Sequence, residues 1–174
     1  MLNLVLVGFM GTGKTTVGRK LAKMFGLKFV DTDHEIEQVT GLTVSEIFKK
    51  YGEVRFRSEE KAAVRRVTRN HSQVIATGGG VVLNPENMER LKETGIVVCL
   101  TAAPEVIYQR VIRKKNRPLL RTEDPLHTIK SLLAERKSFY EGAHVTVDTS
   151  NREIDGVIAE VGRIYREYSA KTKE

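Results

Sequence analysis

The stretch Gly8-Phe9-Met10-Gly11-Thr12-Gly13-Lys14-Thr15 matches G-x-x-x-x-G-K-[ST], the pattern of a phosphate-binding loop. The residues before it, 2–7, are apolar except for Asn3 and predict a buried strand. The residues after it predict an amphipathic helix, because four apolar side chains recur at helical spacing: Val17, Leu21, Met24 and Phe25. The pattern therefore lies between a strand and a helix, which is the context that a phosphate-binding loop requires.

The residue types of this loop suit a triphosphate. Its glycines let the backbone turn so that successive N–H groups face phosphate oxygens, and the following helix presents its positive N-terminal end. Lys14 can reach the β- and γ-phosphates, and the hydroxyl of Thr15 can bind Mg²⁺. The alternative is a glycine-rich turn that binds nothing, but the Lys-Thr pair in this context favours a nucleoside triphosphate site.

The composition predicts one globular domain, with 174 residues of which 40% are hydrophobic and 29% charged. No apolar run approaches the roughly 20 residues of a membrane span, and a strand is predicted at once, so we expect neither a membrane segment nor a signal peptide. The single cysteine, Cys99, lies in an apolar run and is expected to be a buried, inert thiol. Together these features predict a cytoplasmic protein.

The net charge of +7 is compatible with binding either nucleic acid or small anions. Aromatic residues make up only 6% of the chain and no nucleic-acid-binding module is visible, so we expect no nucleic-acid partner. Six basic residues with no acid between them form a dense cluster: Arg110, Arg113, Lys114, Lys115, Arg117 and Arg121. The cluster is either a solvated charged surface or a mobile lid that brings Arg117 onto the transferring phosphate.

Predicted strands alternate with predicted helices along the chain, which indicates a doubly wound α/β fold with a mainly parallel sheet. Ligands bind such sheets at the carboxyl ends of the strands. The phosphate-binding loop, Asp31 with Asp33, and the glycines at 78–80 follow the first three predicted strands, so we expect them to converge on one crevice. A long helix predicted at about 53–70 has Val54 among its expected buried positions.

Asp31 and Asp33 are candidates for binding a metal and for handling the acceptor. The third predicted strand runs into Thr77 without a terminal aspartate, so Asp31 is the nearest candidate for Mg²⁺, acting through a bound water. If strand geometry continued past Asp31, Asp33 would lie on the same side and could accept or align the proton of the acceptor hydroxyl. The alternatives are a polar strand end or helix cap for Asp31 and a helix N-cap for Asp33.

Arg57 and Glu60 lie three residues apart in a predicted helix and can therefore face each other. This spacing alone favours a surface ion pair of little energetic value. The other interpretation is an arginine that Glu60 aims at a substrate carboxylate. The turn Gly78-Gly79-Gly80 permits close backbone approach to a ligand, although a flexible turn would have the same composition.

Taken in order, these motifs resemble those of the shikimate kinase family along essentially the whole chain. The matching residues are Gly-x-x-Gly-x-Gly-Lys-Thr at 8–15, Asp-Thr-Asp at 31–33, Phe56-Arg57-x-x-Glu60, Thr77-Gly78-Gly79-Gly80, Arg117-Pro118-Leu119-Leu120 and Arg136-x-x-x-Tyr140. The first motif occurs in many families, but the ordered set at these spacings is highly specific.

The resemblance implies ATP-dependent phosphorylation of the 3-hydroxyl of shikimate, a step towards chorismate and the aromatic amino acids. It implies a three-layer α/β/α P-loop kinase fold with a five-stranded parallel sheet in the order 2-3-1-4-5. It implies one domain over 1–174, with a shikimate-binding subdomain at 33–61 and a lid at 111–124. ATP and shikimate would be the partners, Mg²⁺ the cofactor, and the chain a monomer without membrane or nucleic-acid contacts.

Carried over by position, the resemblance implies catalytic roles for Lys14, Asp33 and Arg117. The residues expected to contact ATP are Gly11, Thr12, Gly13, Lys14, Thr15, Thr16, Arg110, Arg117, Arg152 and Glu153. Those expected to contact shikimate are Asp33, Arg57, Glu60, Gly78, Gly79, Gly80 and Arg136, with both arginines on the carboxylate and Glu60 orienting Arg57. Thr15 would bind Mg²⁺ directly, and Asp31 would bind it through water.

The chain departs from the family in the loop that contacts adenine, which often follows the pattern [IV]-Asp-x-x-[NQ]-x-Pro. Here Val147-Asp148-Thr149-Ser150-Asn151-Arg152 is followed by Glu153 rather than proline. The adenine contact must therefore differ, and Arg110, Arg113 and Arg152 are alternative candidates for it. Two other functions stay open: another small-molecule kinase of this fold, such as gluconate kinase, and a non-catalytic nucleotide-binding regulator.

Overall fold

The computed structural model describes residues 1–112 and 118–172. The strands are β1 (Asn3–Val7), β2 (Lys28–Asp31), β3 (Gln73–Ala76), β4 (Gly95–Thr101) and β5 (Val145–Asp148). The helices are α1 (Lys14–Phe25), α2 (Thr32–Thr40), α3 (Val44–Val67), α4 (Pro85–Thr94), α5 (Pro104–Val111), α6 (Pro125–Tyr140) and α7 (Ile154–Lys171). Short 3₁₀ helices occupy Val81–Leu83 and Pro118–Leu120. No helix among the described residues has the length and apolar character needed to cross a membrane.

The five strands form one sheet in the order β2-β3-β1-β4-β5, and all neighbouring strands are parallel. The central strand, β1, pairs Val5 with Ile75 on one side and with Val97 on the other. The expected fold class and strand order are therefore confirmed. Because all strands run the same way, the ends of β1, β2 and β3 lie along one edge of the sheet.

Alternate residues of β1 face two different helical layers. Val5 and Val7 pack in a core with residues of α3, α4, α5 and α6, whereas Leu4 and Leu6 pack in a second core with residues of α1 and α7. A sheet covered on both faces needs strands that are apolar throughout, and all five residues of β1 are buried. The result is the three-layer α/β/α arrangement that the sequence predicted.

Cys99 belongs to the first of these cores and has no exposed surface. Burial raises the pKa of its thiol to about 11, so the reactive thiolate is scarce at neutral pH. The prediction of a buried cysteine is confirmed, and the raised pKa is consistent with an inert thiol.

Two apolar residues expected to be buried are exposed. In α1 the buried stripe runs through Gly18, Leu21 and Ala22, which leaves Met24 at its edge and 54% exposed. Val54 is 87% exposed because the buried stripe after the kink at Gly52 (φ 80°) begins at Phe56, and two residues along a helix turn through about 200°. Val54 therefore lies on the opposite side of α3 from the core.

Candidate active site

The phosphate-binding loop joins β1 to α1, at the edge of the sheet where ligands are expected. Gly13 precedes α1 with φ of 99°, a left-handed conformation that glycine adopts without a Cβ penalty. The side chain of Lys14 is buried and folds back over the loop, where Nζ donates to the carbonyls of Gly8 at 2.8 Å and Phe9 at 2.9 Å. The ammonium group and the start of α1 therefore make the loop a positively charged cradle.

Thr15 and Asp31 meet at the base of this cradle. The hydroxyl of Thr15 donates to Oδ2 of Asp31 at 3.1 Å, although the two residues belong to α1 and β2. The other oxygen of Asp31, Oδ1, accepts from the backbone N–H of Asp33 at 3.0 Å and of His34 at 3.5 Å, and so caps α2. The helix-cap interpretation of Asp31 is correct, and it does not exclude the contact with Thr15.

The expected strand geometry does not continue past Asp31, because α2 begins at Thr32. Asp33 therefore lies in the first turn of a helix, and its position relative to Asp31 is set by that turn rather than by a strand period of two. The N-cap interpretation of Asp33 is wrong, since Asp31 is the capping residue.

The Thr15–Asp31 pair suits an ion that is held mainly by phosphate and water. Among the described residues there is no group of three or more His, Cys, Asp and Glu side chains that could hold a metal by themselves. Mg²⁺ in nucleotide sites usually keeps several waters and binds few protein ligands, so one hydroxyl beside one carboxylate fits it.

One cavity extends from the phosphate-binding loop towards α7. Its lining residues are Gly11, Thr12, Gly13, Thr16, Val17, Arg110, Thr149, Arg152, Ile154 and Val157. Six of these are among the residues expected to contact ATP. The glycines and threonines supply backbone N–H and hydroxyl groups, whereas Val17, Ile154 and Val157 supply an apolar wall that can pack against a base.

Arg110 connects the two sides of this cavity. Its Nη1 donates to the carbonyl of Gly11 at 3.2 Å and to Oγ1 of Thr149 at 3.0 Å, and its Nη2 donates to the carbonyl of Thr149 at 2.9 Å. Arg152 lies across the cavity and pairs with Glu160 at 2.6 Å. Both arginines are thus held at the cavity wall by hydrogen bonds to neighbouring groups.

Among the described candidates, Lys14, Thr15 and Glu153 do not line this cavity, although Lys14 and Thr15 lie in the adjoining loop. Glu153 precedes α7 as its N-cap residue, and its side chain makes no capping hydrogen bond. Arg113 and Arg117 lie outside the described residues, so their expected roles stay predictions.

A second cavity adjoins the first on the other side of the loop. All seven residues expected to contact shikimate line it: Asp33, Arg57, Glu60, Gly78, Gly79, Gly80 and Arg136. They come from α2, α3, α6 and the turn after β3, so the fold brings together side chains that are more than 100 residues apart in sequence. Met10 lines this second cavity and Gly11 lines the first, which makes the two cavities neighbours across one peptide bond.

In the Arg57–Glu60 pair the carboxylate is buried and the guanidinium is partly buried, so the pair does not lie on the surface. Nη1 of Arg57 donates to Oε1 of Glu60 at 3.0 Å, with the side chains 24% and 1% exposed. From the solvent side, Glu53 accepts from Nε at 3.2 Å and Nη2 at 3.0 Å. The surface-ion-pair interpretation, which spacing alone favoured, is therefore wrong. Two carboxylates grip the guanidinium and leave one N–H on each of Nη1 and Nη2 for a ligand.

The glycine turn is shaped by these charged groups. A Cβ atom at Gly78 would lie 2.8 Å from Oδ1 of Asp33 and 2.9 Å from Oε2 of Glu60. A Cβ atom at Gly80 would collide with the guanidinium of Arg57. Glycine at these positions therefore makes room for the charged side chains of the cavity, rather than supplying flexibility alone.

Burial also changes the titration of Glu60. Desolvation raises the pKa of this carboxyl to about 7, and the nearby Asp33 acts in the same direction, while Arg57 and Arg136 oppose it. Arg136, on α6, is 5% exposed and lies 5.8 Å from the ring of Phe9. The cavity is therefore lined by two arginines and by three acids, Asp33, Glu37 and Glu60, and the two guanidinium groups are the cations there that can hold an anionic ligand.

Seven other residues of the second cavity were not predicted as contacts, although Met10, Phe56 and Leu119 lie within the quoted motifs. They are Met10, Glu37, Val44, Ser45, Phe48, Phe56 and Leu119. The rings of Phe48 and Phe56 pack at 4.7 Å and form an apolar wall. In the sequence Phe48 is indistinguishable from an ordinary core residue, whereas Phe56 belongs to a quoted motif without an assigned role. Leu119, from the described end of the expected lid, borders the same cavity.

Comparison with known proteins agrees with this geometry. The family model described as shikimate kinase matches residues 10–166. A shikimate kinase of Pelotomaculum thermopropionicum is 51% identical over 97% of this chain and 98% of its own length. One of Caldanaerobacter subterraneus is 51% identical over 95% of this chain and 96% of its own. The structure described as shikimate kinase from Acinetobacter baumannii in complex with shikimate superposes with a TM-score of 0.90 at 44% identity, covering 94% of this chain and 92% of that one.

Proposed function

The chain belongs to the shikimate kinase family, and we propose that its two cavities divide that family's reaction between nucleotide and acceptor. The reaction moves the γ-phosphoryl group of ATP to the 3-hydroxyl of shikimate and releases shikimate 3-phosphate and ADP. ATP occupies the cavity from the phosphate-binding loop to α7, and shikimate occupies the cavity lined by Arg57 and Arg136. The observation that carries this assignment is the pair of arginines facing one cavity that adjoins the loop.

Shikimate is a hydroxylated monocarboxylate, and this chemistry matches the acceptor cavity. Within residues 1–112 and 118–172, Arg57 has one N–H without a partner on each terminal nitrogen, an arrangement that can hold a carboxylate with two parallel hydrogen bonds. Arg136 supplies a second cation, and the ring of Phe9 under it limits the directions in which it can move. Glu53 and Glu60 keep Arg57 in place before the substrate arrives.

Asp33 is the group that handles the attacking hydroxyl. It is placed in the first turn of α2, inside the acceptor cavity and next to the glycine turn. A carboxylate there can accept the hydroxyl proton or align the hydroxyl for attack, and both roles require only that it stays ionised. The hydroxyl oxygen then attacks the γ-phosphorus from the acceptor side while the bond to the β-phosphate oxygen breaks.

Cations on the nucleotide side of the site offset the negative charge of the transferring phosphoryl group. Lys14 can move its ammonium from the carbonyls of Gly8 and Phe9 to the β- and γ-phosphates. Thr15 and Asp31 would hold Mg²⁺, which supplies additional positive charge at the phosphate oxygens. We further propose that Arg117, in a lid at 111–124, reaches the same phosphates, and that residues 33–61 form the acceptor-binding subdomain. Arg110 and Arg152 are the proposed contacts of adenine, with Glu153 beside them.

We propose a cytoplasmic monomer without nucleic-acid or membrane partners, consistent with the single buried thiol and ordinary composition. The test of function is a coupled assay for ADP release with shikimate, with gluconate and with no acceptor. We expect release that depends on shikimate. Release with gluconate alone would indicate the rival kinase, and nucleotide binding without turnover would indicate a regulator.

A further inference from the structure

Tyr140 holds the backbone of the glycine turn that lines the acceptor cavity. Its hydroxyl donates to the carbonyl of Gly79 at 2.7 Å, across 61 residues of sequence. The side chain is 7% exposed and lies in the core with Cys99, and it is not among the described residues that line the cavity. Tyr140 therefore contacts the turn from the core, and its phenol also lies beside the guanidinium of Arg136.

This hydrogen bond fixes the direction of a neighbouring N–H group. A trans peptide is planar, so the carbonyl of Gly79 and the N–H of Gly80 point in opposite directions. With the carbonyl directed at Tyr140, the N–H of Gly80 is directed away from the core and towards the cavity that Gly80 lines. No acceptor for that N–H occurs among the hydrogen bonds of residues 1–112 and 118–172.

The rest of the turn is fixed in other ways. The carbonyls of Gly78 and Gly80 accept from the N–H groups of Val81 and Leu83, at 3.2 and 3.1 Å. Without the phenol, only the peptide between Gly79 and Gly80 would lack a partner for its carbonyl, so this peptide is the one free to rotate. Glycines on both sides impose no side-chain barrier to such a rotation.

We propose that Tyr140 is a positioning residue, whose hydroxyl holds the Gly79–Gly80 peptide so that the Gly80 N–H donates to an oxygen of the bound acceptor. Burial raises the pKa of the Tyr140 phenol to about 12, so the group is a donor throughout the pH range of ordinary assays. Tyr140 also lies one turn beyond Arg136 on α6. One helix thus supplies both a cation for the acceptor and the support for a backbone donor to it.

The inference rests on the proposed function, and its test compares two tyrosines that make the same kind of bond. Tyr165 is also buried, and its hydroxyl donates to the carbonyl of Leu2 at 2.8 Å, in the core between α7 and the sheet. Tyr140→Phe and Tyr165→Phe each remove one hydroxyl, its bond to a backbone carbonyl and its contact with one side chain, Arg136 for Tyr140 and Ser169 for Tyr165. Only Tyr140→Phe removes a hydrogen bond to the glycine turn that lines the acceptor cavity.

We expect Tyr140→Phe to raise the KM for shikimate about five- to tenfold, the effect of losing one hydrogen bond, with the KM for ATP changed less than twofold. Tyr165→Phe should leave both KM values unchanged, while both variants lose thermal stability. A shikimate KM for Tyr140→Phe within twofold of that for Tyr165→Phe would overturn the inference. Absence of shikimate-dependent ADP release in the unaltered protein would instead overturn the proposed function.

A second measurement does not depend on the variant folding. In protein labelled with ¹⁵N-glycine, addition of shikimate should shift the amide resonance of Gly80, because that N–H gains an acceptor. An unshifted Gly80 amide at saturating shikimate would contradict the inference, provided that the ADP assay shows the same sample to be active.

Discussion

Nη1 of Arg57 donates a hydrogen bond of 3.0 Å to the carboxylate of Glu60, whose side chain is only 1% exposed to solvent. A buried ion pair is costly to form and more costly to break from one side, because the remaining charge keeps no partner. The pair is therefore better understood as a device that orients Arg57 than as a source of stability. Arg57 lines the acceptor cavity, so the remaining N–H groups of its guanidinium can donate to a ligand there.

Arg57→Ala should raise the KM for shikimate about 10- to 150-fold, since a hydrogen bond to a charged group contributes roughly 1.5–3 kcal/mol. Arg55→Ala is a matched control, because Arg55 pairs with Glu59 on the same helix at the solvent-exposed surface. Initial rates against shikimate at saturating ATP provide the measurement. Equal KM values for the two variants would remove Arg57 from the acceptor site.

Glu60→Gln should change the pH dependence of stability. The ordinary pKa of glutamate is 4.5 and burial raises that of Glu60 to about 7, so the folded protein binds this proton more tightly than the unfolded chain. The contribution of Glu60 is therefore most favourable below pH 4.5 and is lost as the pH rises through 7. Urea unfolding at several pH values should show this loss in the unaltered protein and not in Glu60→Gln. Parallel curves for the two proteins would contradict the raised pKa.

Asp33→Asn should lower kcat by about 10²–10⁴-fold, the usual contribution of a general base, and leave ATP affinity unchanged. Asp33 lies in the acceptor cavity and not in the cavity of the phosphate-binding loop, so the nucleotide has no contact to lose. Turnover is measured by ADP release, and ATP affinity by equilibrium titration. Near-normal turnover would exclude Asp33 from the mechanism.

His144 gives a prediction away from the site. Its Nδ1 accepts from the backbone N–H of Val97 at 2.9 Å, which only an imidazole unprotonated at that nitrogen can do. Burial lowers the pKa of His144, so its contribution is complete above the ordinary value of 6.5 and is lost as the pH falls below it. His144→Asn keeps an oxygen near the acceptor position but does not titrate. The unfolding free energy of the unaltered protein should fall relative to that of His144→Asn between pH 7 and pH 5.5, and a constant difference would refute this.

The phosphate-binding loop and the parallel sheet could be predicted because their signals are local. The glycines, Lys14 and Thr15 lie within eight residues, and the central strands β1 and β4 are largely apolar runs. The convergence of Asp31 and the glycine turn on the loop follows from the geometry of any parallel sheet. Local sequence patterns and one topological rule are therefore enough to predict the loop, the sheet and the edge where the ligands bind.

The depth of burial could not be predicted in the same way. Glu60 and Arg57 have the spacing of a surface pair, and what buries them is the glycine turn after β3, which lies about 20 residues further along the chain. Asp33 does not continue the strand geometry that was expected after Asp31, because Asp31 caps α2 and the helix begins at Thr32. Thr149, which anchors Arg110 across 39 residues, carries no local signal of that contact.

The most direct test of the proposed division of labour is a crystal structure with ADP, Mg²⁺ and shikimate bound. We predict the ADP phosphates at the loop 8–15, the shikimate carboxylate within hydrogen-bond distance of both Arg57 and Arg136, and the 3-hydroxyl at Asp33. A shikimate molecule whose carboxylate contacts neither arginine would contradict the account.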